Sequence, residues 1–227
     1  MTSLEPSVNA LGQPIEGGTA CAAPLPKKKT TPVALVDQLS ELDAVFDESI
    51  DGVLVKRSIP AFVQSALNAV SLDPAMGGRF CLPPSGVAAC INEILSNRGI
   101  TLSTAKRWIA GDAQSLAVQL ARILCVDDVL LRVEVVNDNA CRKFHRDAIR
   151  ARLICTYIGP GTEYGAEAGA SEPDPIETVP TGCPILLKGK AWRGSSPSTL
   201  LHRSPPIEGT ETSRLVVVID EATPALL

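Results

Sequence analysis

Several residues and patterns that mark a chemistry or a compartment are scarce in this chain, and each scarcity excludes something. No stretch approaches the ~20 consecutive apolar residues needed to span a bilayer. The N-terminus, MTSLEPSVNALGQPIEGG, has no basic segment followed by an apolar one. A soluble, unexported, cytoplasmic protein with no membrane partner is the expectation. There is no Cys-x-x-Cys pair, which argues against a zinc ribbon and a thioredoxin-type site. The seven cysteines (Cys21, Cys81, Cys90, Cys125, Cys141, Cys155 and Cys183) are odd in number and scattered, mostly within apolar stretches such as RILCVDD and RLICTY. That is the pattern of buried free thiols in a reducing compartment, not of a disulfide framework. Cys141 and His145 offer two zinc ligands, but no second pair matches them. Excess positive charge is also missing: the net charge is -4, so no nucleic-acid partner is expected. The compact basic run Lys27–Lys29 lies among prolines and small residues and reads as a solvated linker. Histidine is rare, with only His145 and His202.

What is present points to one domain. At 227 residues and 45% hydrophobic, the chain can bury a large core. Residues 1–32, rich in Pro, Gly, Ser, Thr and Ala, read as a disordered tail. Residues 33–124 read as a helical brace with one short strand. There Val36, Leu39, Leu42 and Val45 recur every third residue and predict a helix, and GVLVKRSIP predicts the strand. PAFVQSALNAV, SGVAACINEILSNRG and AQSLAVQLARILCV predict further helices, the first opening on Pro60 and the second stopped by Gly99. Residues 125–227 differ in character. DVLLRVEVVN alternates apolar and charged side chains, and RARLICTYIG, CPILLKGK and SRLVVVIDE are short β-rich runs between Gly and Pro clusters. No helical pattern separates them, so antiparallel pairing is expected, giving an α+β fold: a sandwich or barrel with the front helices packed against it. No internal repeat is visible.

The two histidines carry the chemistry. KFHRD places His145 two residues before Asp147, and His202 follows 57 residues later at a predicted strand end. At a spacing of two, both side chains of His-x-Asp lie on one side of a strand, and a later strand can supply the third ligand. Two neutral imidazoles and a carboxylate on one face of an octahedron bind Fe(II) and leave three positions open. Arg214 lies 12 residues beyond His202, where a guanidinium fork can bind the far end of a chelating dicarboxylate.

These residues resemble the Fe(II)/2-oxoglutarate-dependent oxygenases built on a double-stranded β-helix (jelly-roll, cupin-like). RARLICTYIGPGTEYG is similar to that family's strand and glycine loop after the first two ligands, CPILLKGKAWRG to the strand before the distal histidine, and HRSPPIEGTETSR to its His-to-Arg turn. The likeness covers residues 125–220. It implies that His145, Asp147 and His202 hold Fe(II), that Arg214 anchors 2-oxoglutarate, and that Tyr157 or Thr156 hydrogen-bonds the same co-substrate. The activity implied is hydroxylation of a C–H bond in a small-molecule or protein substrate. KFHRD, CTYIGPGTEY, LLKG and HRSPP also resemble an uncharacterised bacterial family known only as a domain of unknown function, number eighteen twenty-six. Two positions depart from the oxygenase pattern: Gly182-Cys183 stands where many members have Gly-Asp, and Arg203 directly follows the distal histidine, where its charge would alter the co-substrate pocket or pair with a substrate acid.

Residue by residue, plainer roles stay open. A histidine near a strand end is usually structural, an arginine is usually exposed, and Tyr157 reads equally as a core or rim aromatic. Trp108 and Trp192 pack by default. GPGTEYG is not followed by a helix opening on Lys-Ser/Thr, which argues against nucleotide binding. Two rival functions share these residues: a cupin-like metal-binding protein or metal enzyme that does not use 2-oxoglutarate, and a non-enzymatic binding module that works through its helical half.

Overall fold

Strands form where β-branched and aliphatic residues run together, and their alternation decides what each face meets. The computed structural model describes residues 31–70, 72–73, 77–97, 103–169 and 172–222. In chain order the strands are β1 (Val33–Val36), β2 (Gly52–Val55), β3 (Gly78–Leu82), β4 (Val129–Val136), β5 (Ala151–Ile158), β6 (Glu163–Ala166), β7 (Glu177–Thr178), β8 (Pro184–Lys188), β9 (Leu200–Arg203) and β10 (Arg214–Glu221). The α-helices are α1 (Ala61–Asn68), α2 (Val87–Asn97) and α3 (Ser103–Leu124). Seven strands make one sheet in the order β1-β2-β8-β5-β10-β4-β3, antiparallel throughout except for the parallel pair β1/β2. Three more make a small sheet, β7-β6-β9, which an antiparallel bridge between His145 and His202 extends by one segment.

From β4 onward the chain passes repeatedly between the sheets: β4 in the large one, residue 145 in the small, β5 large, β6 and β7 small, β8 large, β9 small, β10 large. The large sheet therefore has two buried faces. Leu153, Cys155, Tyr157, Leu215, Val217 and Ile219 face the helices. Ile154, Ile185, Leu187, Val216 and Val218 face Tyr164 and Leu200 of the small sheet. Helix α3 lies along the first face because Ile109, Ala113, Leu116, Ala117, Leu120 and Leu124 recur at helical spacing, all nearly inaccessible. Each large aliphatic side chain buried this way contributes about 1.5–3 kcal/mol. A polar latch fixes the register: Arg57 binds both carboxylate oxygens of Asp112 in α3 at 2.6 Å and also donates to the carbonyl of Gly182.

The front half differs from the expectation of a helical brace with one strand, since it also supplies β1 and β3, the two outer strands of the large sheet. The three-residue stripe of Val36, Leu39, Leu42 and Val45 is divided between β1 and a 3-10 helix, Leu39–Phe46. The reason is geometric: a 3-10 helix has three residues per turn, so this spacing stacks Leu42 and Val45 on the core, whereas an α-helix would drift off the stripe. Helix α3 begins well before the predicted segment. The lysine run, Cys21, Gly99 and nearly all of the predicted tail lie outside the described residues. Among the described residues no helix is long and apolar enough to cross a membrane.

Candidate metal centre

The pairing of two backbone segments brings the histidines together. The amide of His145 donates to the carbonyl of His202 at 3.1 Å, and the amide of His202 returns a bond to the carbonyl of His145 at 3.0 Å. Directly opposed residues of an antiparallel pair project to the same face, so the two rings stand side by side with centroids 4.5 Å apart. Asp147, two residues on, joins them. Its carbonyl accepts the amide of Lys190 at 2.8 Å, a close approach that requires glycine next door: a Cβ on Gly189 would come within 2.0 Å of the carbonyl oxygen of Ile149.

One nitrogen from each ring and one carboxylate oxygen all lie within 4.8 Å of one another. Nε2 of His202 is 3.2 Å from Oδ2 of Asp147, and Nε2 of His145 is 3.7 Å from Oδ1. Ligands about 2.1 Å from an ion and at right angles stand about 3 Å apart, so the three groups need only small shifts to share one cation. Nδ1 of His145 contacts the carbonyl of Lys143 at 2.9 Å. A carbonyl only accepts, so that nitrogen carries the proton and Nε2 presents its lone pair to the centre. Burial lowers the pKa of His202 despite its hydrogen bond to Asp147. Burial pulls Asp147 the other way, but the hydrogen bond from His202 and the charge of Arg152 outweigh it and hold the carboxyl below its ordinary range. A neutral imidazole beside an ionised carboxylate is the donor set a divalent cation requires.

Arg214 opens β10 on the same side of the large sheet. It is 2% exposed and donates to Pro160 O at 2.7 Å, Ser204 Oγ at 3.1 Å and Thr156 Oγ1 at 3.3 Å. Burial lowers its pKa to about 10 against the charges of Glu134 and Glu163, so it remains a cation at neutral pH, and no carboxylate forms an ion pair with it among the described residues. Arg214, Ser204, His145 and His202 line one cavity of about 60 Å³.

Two other sequence-predicted residues have different surroundings. Pairing between β10 and β5 slips by one residue, with Leu215 opposite Ile158 but Val216 opposite Thr156, which leaves Tyr157 as the bulged residue. Its ring faces the helices and its hydroxyl donates to Asp112 at 2.6 Å, so Tyr157 belongs to the helix latch, on the face of the sheet away from the histidines. Thr156 lies beside Arg214 and accepts from its guanidinium at 3.3 Å. Arg203 borders the cavity, but its guanidinium is held by Glu163 at 2.6 Å and Glu172 at 3.1 Å and stacks over Phe144 at 4.3 Å, so it is not free to meet a substrate acid. Cys141 also borders the cavity but is not among the converging ligand atoms.

Arg152 is the residue sequence reasoning missed. Its Nη1 donates to Oδ1 of Asp147, while Nε and Nη2 grip the two oxygens of buried Asp220 at 2.7 and 2.9 Å. The signal was present as period two, because residue 152 shares a face with Ile154 and Thr156, but an apolar run buried on both sides does not say which face is inward.

The chain is similar to several solved structures. A dioxygenase for auxin oxidation from rice is 13% identical, with 86% of this chain and 87% of that one covered and a TM-score of 0.49. Dioxygenase for auxin oxidation 1 from Arabidopsis thaliana, solved in complex with 2-oxoglutarate, is 13% identical over 85% of this chain and 93% of that one, with a TM-score of 0.43. A prolyl-4-hydroxylase from Pseudomonas putida is 15% identical over 82% and 100%, with a TM-score of 0.42. No curated protein matches the sequence. Residues 36–220 match the model of the family described as proteins of unknown function, DUF1826, and the chain belongs to that family.

Proposed function

We propose that this protein is an Fe(II)- and 2-oxoglutarate-dependent oxygenase on a double-stranded β-helix. The observation that carries the reading is the convergence of ligand atoms of His145, Asp147 and His202 beside a cavity that both histidines share with a buried Arg214, which forms no ion pair among the described residues. The alternation of successive segments between two facing sheets, from β4 to β10, supports the fold assignment. Iron bound with 2-oxoglutarate and dioxygen supplies the oxidising power for C–H hydroxylation. The chain's own residues do the rest. His145 and His202 offer neutral nitrogens, and Asp147 offers Oδ2 while Arg152 holds Oδ1. Arg214, fixed by Pro160, Ser204 and Thr156, presents a charged fork to the distal carboxylate of the co-substrate.

The size of the cavity favours a second reading. At about 60 Å³ it holds roughly two waters at their ~30 Å³ each, which suits a cupin-like protein holding Zn or Mn, with Arg214 receiving a smaller acid. Anaerobic titration with Fe(II) and 2-oxoglutarate separates the two. The oxygenase gives a visible charge-transfer band only when both are added, and then releases succinate on admission of oxygen. Metal uptake with neither signal overturns the oxygenase and leaves the second reading.

A further inference from the structure

A second cavity, about 220 Å³, lies on the opposite face of the large sheet, bounded by Glu48, Ile123, Leu124, Lys188, Trp192 and Arg193. Lys188, the last residue of β8, distinguishes it from a packing gap. The residue is 6% exposed, yet its ammonium donates to a single acceptor, the carbonyl of Asp47 at 2.9 Å, and lies 5.5 Å from the ring centre of Trp192. An ammonium has three N–H donors, so hydrogen-bonding capacity is left over in a largely buried group. Asp51, Asp47 and Glu48, whose charges partly offset its burial, form no ion pair with it among the described residues. Asp51 accepts from the amide and hydroxyl of Thr199, Asp47 from those of Ser49, and Glu48 from the hydroxyl of Ser195. Arg150, also in the wall, is neutralised by Glu221. Arg193 stands exposed at the rim.

We infer that this cavity binds a small organic carboxylate with an aromatic or branched apolar body. The carboxylate accepts from Lys188 and Arg193, and the body lies between Trp192 and the Ile123–Leu124 ridge. The volume is that of roughly seven waters, or one molecule of about ten non-hydrogen atoms. The seven-stranded sheet separates this cavity from the histidine cluster, so the inference does not depend on a metal being bound there.

The chain has two tryptophans, so Trp108→Phe leaves Trp192 as the only indole and as the reporter. Titrating that full-length protein with phenylacetate should give a saturable change in emission at a Kd of about 1 mM or below. Phenylacetamide, isosteric but neutral, should bind at least about tenfold more weakly, and so should phenylacetate to the Lys188→Met variant. Arg193→Gln, a change on an exposed loop, should weaken binding about threefold. No saturable change up to about 50 mM phenylacetate, or equal binding of acid and amide, overturns the inference. So does parental affinity in folded Lys188→Met. If circular dichroism shows that this variant is unfolded, the amide and Arg193→Gln decide, and parental behaviour in both overturns it.

Discussion

Nε2 of His202 lies 3.2 Å from Oδ2 of Asp147, while Oδ1 of the same carboxylate is held by the guanidinium of Arg152. One oxygen is thus left for a cation and the other is fixed by a residue that Asp220 holds in turn. Replacing Arg152 with methionine should weaken metal binding by about 10- to 100-fold, the scale of lost outer-shell support. It should also change the visible spectrum of bound Co(II), because both oxygens of Asp147 become available. Asp220, 1% exposed, would retain only Arg132 at 3.3 Å as a cationic partner among the described residues, so urea unfolding should show a loss of about 2–4 kcal/mol. A parental Co(II) spectrum and affinity in a folded variant would mean that Arg152 does not position the ligand.

The histidines and Arg214 should separate by phenotype. His145→Ala and His202→Ala should each lose stoichiometric metal, measured by elemental analysis after Fe(II) loading and desalting. Arg214→Met should keep its metal, since Arg214 touches Pro160, Ser204 and Thr156 and none of the three candidate ligands. It should lose about 100-fold or more in affinity for 2-oxoglutarate, the scale of removing one partner of a buried charge pair. Equal loss of metal in all three would indicate that the effect is unfolding.

The strands that build the site were legible, and their facing was not. SRLVVVIDE and RARLICTYIG are apolar enough to read as β at sight, and both are buried on two faces. A strand of that kind gives no hint of which alternate residues face the helices and which face the small sheet. Which of Thr156 and Tyr157 faces the small sheet was therefore open until pairing with β10 placed them on opposite sides. His145-x-Asp147 escaped this ambiguity because the aspartate and the histidine share a face whatever the register. The outer strand Gly78–Leu82 was hidden for another reason: it is largely exposed and follows a glycine, so it carries no burial signature.

Because Tyr157 serves the helix latch, Tyr157→Phe should cost about 1–2 kcal/mol in thermal or urea unfolding, the worth of one hydrogen bond to a charged group. Asp112 keeps its bidentate bond to Arg57, which limits the loss. Affinity for metal and 2-oxoglutarate should be unchanged. A selective loss of 2-oxoglutarate binding with parental stability would return Tyr157 to the co-substrate side.

The neighbour of that tyrosine gives the pH dependence. Burial raises the Cys155 thiol from 9.0 to about 12, against the opposing influence of Arg57. The folded protein keeps the proton after the unfolded chain has released it, so the stability is fully present below pH 9 and is lost between pH 9 and 12. The slope from this one group is about 1.4 kcal/mol per pH unit. Cys155→Ala loses some stability at every pH through the cavity it leaves, but its unfolding free energy should fall less steeply than the parent's between pH 9 and 10. In that window the two tyrosines and Cys90, raised in the same direction, are common to both proteins. At pH 8 the native protein should react with a thiol reagent at exposed Cys81, Cys125 and Cys141 and spare Cys155. Parallel pH profiles for parent and variant, or early labelling of Cys155, would show that its thiol is not sealed beneath α3.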